Sequence, residues 1–334
     1  MCKQMLYLIC SVLVLGVAGS ASAGLVAHWA LDDGTGTTAS DSSGNGYDAT
    51  IGGTPQWVTG QVDGALDLDG ETNYINMDNR IVEGTFTLAM WLRIRNLPYA
   101  SGYYAILHDD QWDSGSVHVH LRANTSLFNI DINGGPNTTS TTVFQEDQWY
   151  HVVFTITTKS GSAATELYVD GVLESTATGG SIPYLGPLNF GAWDNGGSGS
   201  YERYVPGVFD DIRVYDRVLS EGQAVDLFNG IEPTFLKAIE PSPADGAQGV
   251  DTPLLQWAPG DGAVAHNVYF GTDPDNLAFI GPQGWTVYWH AAGLNPGTTY
   301  YWRIDEVQSD GSVVTGDVWS FTATPLTAWN PSPA

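Results

Sequence analysis

Between residue 24 and about residue 230 the chain is a succession of short runs in which apolar and polar residues alternate. Clusters of Gly, Asn, Asp and Ser break each run from the next. A period of two is what a strand with one buried face requires, and those clusters supply the turn conformations that join strands. Helical periodicity is almost absent, so the segment reads as an all-β domain. The clearest predicted strands are 85–94, 105–108, 116–122, 127–132, 149–157, 166–169 and 209–215. Within 116–122, Val117, Val119 and Leu121 share one face while His118 and His120 share the other. Two histidines at that spacing can hold a metal, but a solvated or concave polar face is the commoner outcome. Asp170-Gly171, set between two apolar runs, predicts a tight hairpin turn, since such turns need positive φ. The one convincing helix begins at Ser220, where Ser220-Glu221-Gly222-Gln223 has capping-box spacing, and runs towards Phe228 before Asn229-Gly230 ends it.

The amino terminus, residues 1–23, reads as a secretory signal. Lys3 supplies the basic start, residues 6–17 an apolar stretch, and Ala21-Ser22-Ala23 a small-x-small cleavage site, so the mature chain is expected to begin at Gly24. That stretch is shorter than the roughly 20 residues that span a bilayer, and no later run approaches that length, so no membrane insertion is expected. Both cysteines, Cys2 and Cys10, fall inside this segment. The mature domains must therefore hold by core packing, without disulfides. The formal charge of −26 becomes −27 once Lys3 is removed. Nucleic acid is thereby excluded as a partner, because phosphate binding needs a basic face. An acidic surface suits a saline habitat, calcium, or solubility alone.

Several motifs in residues 24–230 together resemble the laminin-G-like, concanavalin A-like jelly-roll domains of bacterial secreted proteins. They are Leu25-Val26-Ala27-His28-Trp29-Ala30-Leu31-Asp32-Asp33-Gly34, Asp41-Ser42-Ser43-Gly44-Asn45-Gly46, and Gly64-Ala65-Leu66-Asp67-Leu68-Asp69-Gly70. Gln148-Trp149-Tyr150-His151-Val152, Leu167-Tyr168-Val169-Asp170-Gly171 and Phe209-Asp210-Asp211-Ile212-Arg213-Val214-Tyr215 continue the match in the same order. The resemblance implies two packed antiparallel sheets with the first and last strands side by side, which would make Asp32 and Asp211 neighbours. It also implies a structural calcium ion there, held by Asp32, Asp33, Asp210 and Asp211 with backbone carbonyls completing the shell. Asp32-Asp33-Gly34 reads equally as a plain turn, and Asp210-Asp211 as the solvated start of a strand.

After a linker at residues 231–236 the composition shifts, and a second unit is expected over residues 237–324. Leu294-Asn295-Pro296-Gly297-Thr298-Thr299-Tyr300 resembles the tyrosine corner of fibronectin type III domains, which implies an immunoglobulin-like sandwich. Trp257, Trp302 and Trp319 are expected in its core, and its expected role is spacing. Ala238-Ile239-Glu240-Pro241-Ser242-Pro243-Ala244 recurs as Ala328-Trp329-Asn330-Pro331-Ser332-Pro333-Ala334, so residues 325–334 are expected to open a further, truncated repeat.

Catalysis is not expected. Asp67-x-Asp69-x-Glu71 is the nearest approach to the paired carboxylates of a glycosidase, but Gly70 and Thr72-Asn73 suggest a strand already turning. No nucleophile elbow, zinc-binding His-Glu-x-x-His or phosphate loop is present. For ligand binding the informative positions are aromatics in polar loops, because sugars stack their CH faces on Trp and Tyr while Asp and Asn take their hydroxyls. Two loops offer that mixture. One contains Asp110 and Trp112, the other Trp193, Asp194, Asn195 and Tyr201. Either Trp could equally be a rim residue covering the core. The chain is thus expected to be a secreted, non-catalytic protein that recognises an extracellular or cell-surface glycan. The alternatives are adhesion to a surface protein and service as an accessory module of a larger glycoside hydrolase.

Overall fold

The structure is a computed structural model that describes residues 24–326 apart from 98–101, 110, 160 and 196. The expected signal segment, the expected repeat copy at Ala328 to Ala334 and the candidate Asp110 therefore lie outside the described residues. All seven predicted strands are present, several extended by a few residues, as in Pro206–Tyr215. The helix runs Glu221–Phe228, with the Ser220 hydroxyl accepting from Gln223 N and the Gln223 side chain returning to the Ser220 amide. Both residues of the Asp170-Gly171 turn have positive φ, 50° and 77°. That is the conformation a tight hairpin demands and the reason glycine stands second.

Two eight-stranded sheets face each other across the amino-terminal unit. One has Phe86–Ile94 and Pro206–Tyr215 at its centre; the other runs from Asn137–Val143 through Val117–Arg122 and Tyr103–Asp109 to Leu188–Phe190 and Tyr74–Met77. The first strand, Leu25–Trp29, pairs antiparallel with Pro206–Tyr215, so the ends of the unit meet in one sheet. Alternation decides which side chains fill the space between the sheets. Val117, Val119, Leu121, Phe128, Ile130, Leu88, Met90 and Phe209 all enter one core. Trp29 is fully buried there, and its indole N–H donates to the Tyr47 carbonyl at 2.7 Å. The Asp41-Ser42-Ser43-Gly44-Asn45-Gly46 motif earns a local role: the Asp41 carboxylate accepts from the amides of His28, Ser43 and Tyr47 at 2.9 Å each, which fixes that loop to the first strand. The helix closes the back of the first sheet, burying Ala224 and Leu227 against Ala89, Val153 and Tyr168.

The carboxy-terminal unit is a smaller sandwich of a three-stranded and a six-stranded sheet. Trp257, Trp302 and Trp319 are buried in its core with Phe270 and Phe321. The Tyr300 hydroxyl accepts from the Asn295 amide at 2.8 Å, the bond expected from the corner sequence. Between the units Phe235 packs on Tyr215, while its amide and carbonyl bond to Asp261.

Candidate functional site

The outer face of the second sheet carries a transverse row of polar side chains. Successive registers place Asn76 opposite Asn189, Asn189 opposite His108, His108 opposite His118, and His118 opposite Asp131. The row exists because each of these residues alternates with core neighbours, such as Val117 and Val119 on either side of His118. Asn76 donates to Asn189 at 3.0 Å, His108 and His118 face each other through their Nδ1 atoms at 3.0 Å, and His118 Nε2 meets the Ser116 hydroxyl at 3.1 Å.

Histidines on this face are not solvated. His108, His118 and His120 are buried beneath the rings of Trp112, Trp193 and Tyr103. The Trp112 ring stacks on His118 at 4.2 Å and 24°, and its edge meets Trp193 at 6.0 Å. Asn133 donates to the carbonyls of Trp112 and Asp113, which holds the Trp112 loop down. Burial keeps the three rings neutral. It brings His118 down to about 4 and, with help from Arg122, His118 and Arg203, His120 to about 3. Burial first, then the neighbouring histidines and Arg203, holds His108 well below the usual range.

Beside this row lies a cleft of about 370 Å³ lined by Tyr103, His108, Trp112, His120, Arg122 and Asp131. Arg122 donates from Nε to His120 Nε2 at 3.3 Å and from Nη2 to Asn129 at 3.1 Å. The Arg203 guanidinium lies over the Tyr103 ring at 4.0 Å and over Trp193 at 5.0 Å. Burial raises the Tyr103 phenol above its ordinary value, and Arg203 opposes that rise.

The predicted binding residues divide. Trp112 remains 49% exposed and presents a free flank to the cleft. Trp193 does not project into solvent as a loop platform. It opens a two-residue strand and is only 6% exposed, so it supports Trp112 from behind. The Asp194 carboxylate is occupied by the amides of Gly199 and Ser200 at 2.9 and 3.2 Å, and so shapes its own loop. Asn195 reaches Glu202 at 3.5 Å, and Tyr201 stacks on Tyr74 at 3.9 Å. Tyr103, His120, Arg122, Asp131 and Arg203 were not predicted. For His120 and Arg122 the signal was present, since alternation puts both on the face of His118; Arg203 arrives from a segment about 80 residues away and had none.

The four metal candidates are also split. Asp210 is fully buried, with Oδ2 accepting from the amides of Gln61 and Val62 at 2.7 and 2.8 Å and Oδ1 without a partner among the described residues. Burial pushes its carboxyl up to about 7 against those two amides, and Asp211 and Asp32 add to the rise. Asp32 accepts from the Gly64 amide at 2.5 Å, on the same 60–64 loop. A Cβ on Gly60 would collide with Asp210 Oδ2 and the Gly64 carbonyl oxygen, and one on Gly64 would come within 3.1 Å of the Leu31 carbonyl. Two carboxylates and two carbonyls thus gather about that loop, the oxygen chemistry calcium takes. Asp211 points elsewhere, bonding His28 Nε2 at 2.7 Å and Arg213 at 3.0 Å, and Asp33 receives the Ser40 amide at 3.2 Å. Among the described residues no three acidic or imidazole groups converge on one point.

Asp67 forms an ion pair with Arg95. Asp69 folds back on its own turn, accepting from Glu71, Thr72 and Asn73 amides at 2.8 to 3.0 Å. Burial acts to raise the Asp69 carboxyl, but those bonds and the Thr72 hydroxyl overbalance it and bring it to about 2. Asp67 is thus tied up by Arg95 and the Asp69 carboxyl is held low, whereas a glycosidase acid needs a raised one.

Residues 69–224 match the family model of the concanavalin A-like lectin/glucanases superfamily. The amino-terminal unit is a concanavalin A-like jelly roll. No curated protein matches the chain in sequence. Among solved structures, domain 4 of AbnA, a GH43 extracellular arabinanase from Geobacillus stearothermophilus, in complex with arabinotriose, is similar at 20% identity and a TM-score of 0.47, over 62% of this chain and 98% of that one. The binding domain of botulinum neurotoxin DC in complex with SialylT aligns at 13% identity and a TM-score of 0.48, over 92% of this chain and 84% of that one. Trypanosoma rangeli sialidase in complex with the inhibitor DANA aligns at 17% identity and a TM-score of 0.41, over 61% and 32% of the two chains. No described helix of this chain is long and apolar enough to cross a membrane.

Proposed function

We propose that this is a secreted, non-catalytic glycan-binding protein whose jelly roll holds sugar in the Trp112 cleft, with the carboxy-terminal unit as a fibronectin type III-like spacer. The observation that carries the reading is Trp112 itself: a half-exposed indole, backed by His118 and Trp193, at the mouth of a cleft of polar side chains. An aromatic face held rigid by packing gives a sugar ring a stacking surface at little entropic cost, and Tyr103, Arg122 and Asp131 offer hydroxyl partners. The test is a glycan array probed with the whole protein, with calcium and with chelator. A defined glycan class should be retained, and Trp112→Ala should weaken it at least about tenfold (~1.4 kcal/mol) with an unchanged melting curve. A blank array under both conditions defeats the reading in favour of protein adhesion.

The calcium expectation belongs to the same proposal, now centred on Asp210 and Asp32. A buried carboxylate with one unpartnered oxygen beside a second carboxylate favours either a proton or a cation. Calcium should raise the melting temperature, by about 3 kcal/mol of stability at a hundredfold excess over Kd. The raised Asp210 carboxyl sets the pH dependence: protons compete below about 7, so the calcium shift should be larger at pH 8 than at pH 6. Asp210→Asn should abolish it, and chelation without effect at either pH would rule the ion out.

A further inference from the structure

The Trp112 cleft holds an arginine that, among the described residues, has no carboxylate partner, in a strongly acidic protein. The chain has 11 Lys and Arg against 37 Asp and Glu, so a guanidinium here normally finds a carboxylate. Arg95, Arg213 and Arg303 do so, each in an ion pair with an aspartate. Arg122 does not. Among the described residues its partners are the neutral His120 ring and the Asn129 amide, and it stays exposed at the end of its strand. Among the described residues Arg203 forms one ion pair, with Glu202 at 3.8 Å, and lays its planar face on Tyr103. Tyr103 is the cross-strand partner of Arg122 and carries Arg203 over its ring, so both arginines are anchored about one residue of the cleft wall. Among the described lining residues Arg122 and Asp131 are the charged side chains, and Arg203 stands beside them on the Tyr103 ring.

In this chain acidic residues are abundant enough to quench Arg122, yet among the described residues none does. The pairing of Arg122 and Arg203 with imidazole, amide and aromatic faces leaves guanidinium N–H groups for an outside anion. Arginine suits that task, since its planar fork matches the oxygens of a carboxylate or sulfate. The protein's overall negative charge does not forbid it, because fields from distant charges are screened beyond about 8 Å at physiological salt.

We propose that the cleft selects an anionic sugar, a glycan unit bearing a carboxylate or sulfate, with the ring on Trp112 and the anionic group on Arg122 and Arg203. The inference rests on the glycan-binding reading and narrows it to a substrate class. It is tested with the whole protein on an array that sets uronate-, sialate- and sulfate-bearing chains each beside its carboxyl-reduced or desulfated counterpart. Retention of acidic chains with at least tenfold weaker retention of the counterparts is expected, and which acidic series responds separates carboxylate from sulfate. Arg122→Gln and Arg203→Gln should each lower affinity for the acidic chain about tenfold, and Arg203→Lys, which keeps the charge but loses the fork, should fall between. The counterpart comparison needs no variant, so a misfolded substitution does not decide the matter. Equal retention of both members of each pair, or of neutral chains alone, overturns the anionic assignment while leaving glycan binding intact. A blank array removes both.

Discussion

Replacing Glu306 by alanine is expected to cost the carboxy-terminal unit about 3–5 kcal/mol. Glu306 lies on the Thr299–Gln308 strand directly opposite His266 and has no exposed surface. Its Oε2 sits 2.5 Å from His266 Nδ1 and its Oε1 accepts from the Gly260 amide at 3.1 Å. Both partners are buried by the same packing, with the Trp257 ring edge-on to His266 at 5.6 Å. Alanine leaves an imidazole nitrogen and a backbone N–H without acceptors and opens a cavity, each a separate penalty. Glutamine keeps the volume and one acceptor, so about 1–2 kcal/mol is expected for Glu306→Gln. Against a typical domain stability of about 5–15 kcal/mol, the alanine variant should be marginal. Hydrogen exchange resolved by segment reads this directly. Protection should fall across the strands around Val268 and Ile304 while the jelly roll keeps its own, and uniform protection in both units would show that the pair is dispensable.

Acidification is the second large effect, and it acts on the jelly roll. His118 and His151 are held at about 4 and His120 at about 3, in each case chiefly by burial. For His151 the Asp211 charge opposes the shift and Arg213 adds to it. In an unfolded chain each would titrate near 6.5. Above that pH both states hold neutral rings, and the full stability is present. As pH falls through 6.5 the unfolded chain takes up protons that the folded rings refuse, so stability drains away until about pH 4 is reached. A group displaced by that much contributes about 3 kcal/mol over the window. Asp210 runs the other way, since its raised carboxyl protonates in the folded state first and gains stability below about 7. One such carboxyl against several histidines leaves a net loss. The melting temperature should fall continuously from pH 6.5 to 4, and His151→Phe, which suits a site already packed by Trp91 and Phe228, should flatten that slope. A melting temperature level between pH 7 and 5 would falsify the account.

The candidate site was legible in fragments. Trp112 stood out because a large aromatic among Asp and Gln has no core to explain it. His118 and His120 were correctly set on the face away from Val117 and Val119, yet their burial was not foreseen, because it depends on how the Trp112 loop folds back and on Tyr103 and Trp193 from neighbouring strands. Trp193 misled for the mirror reason: its Gly- and Ser-rich surroundings look exposed, but the loop turns the indole inward onto Trp112 and His108. Adjacent Asp210 and Asp211 could not both face one ion in a regular strand, and the bulge between Asp210 and Arg213, with Asp211 at φ 48°, sends the second carboxylate to Arg213 instead.

Features set within a few residues of one another were readable from the chain alone. The strands follow from two-residue alternation, the helix start from the Ser220 and Gln223 pair, the hairpin from Asp170-Gly171, and the corner bond from the spacing of Asn295 and Tyr300. Each depends on local backbone geometry, which neighbouring residues fix. Tertiary structure alone decided which polar groups meet. The row from Asn76 to Asp131, the two arginines about Tyr103, and the pairing of Asp210 with the 60–64 loop depend on strand order and register between segments far apart in the chain, and those are settled by packing the two sheets around one core.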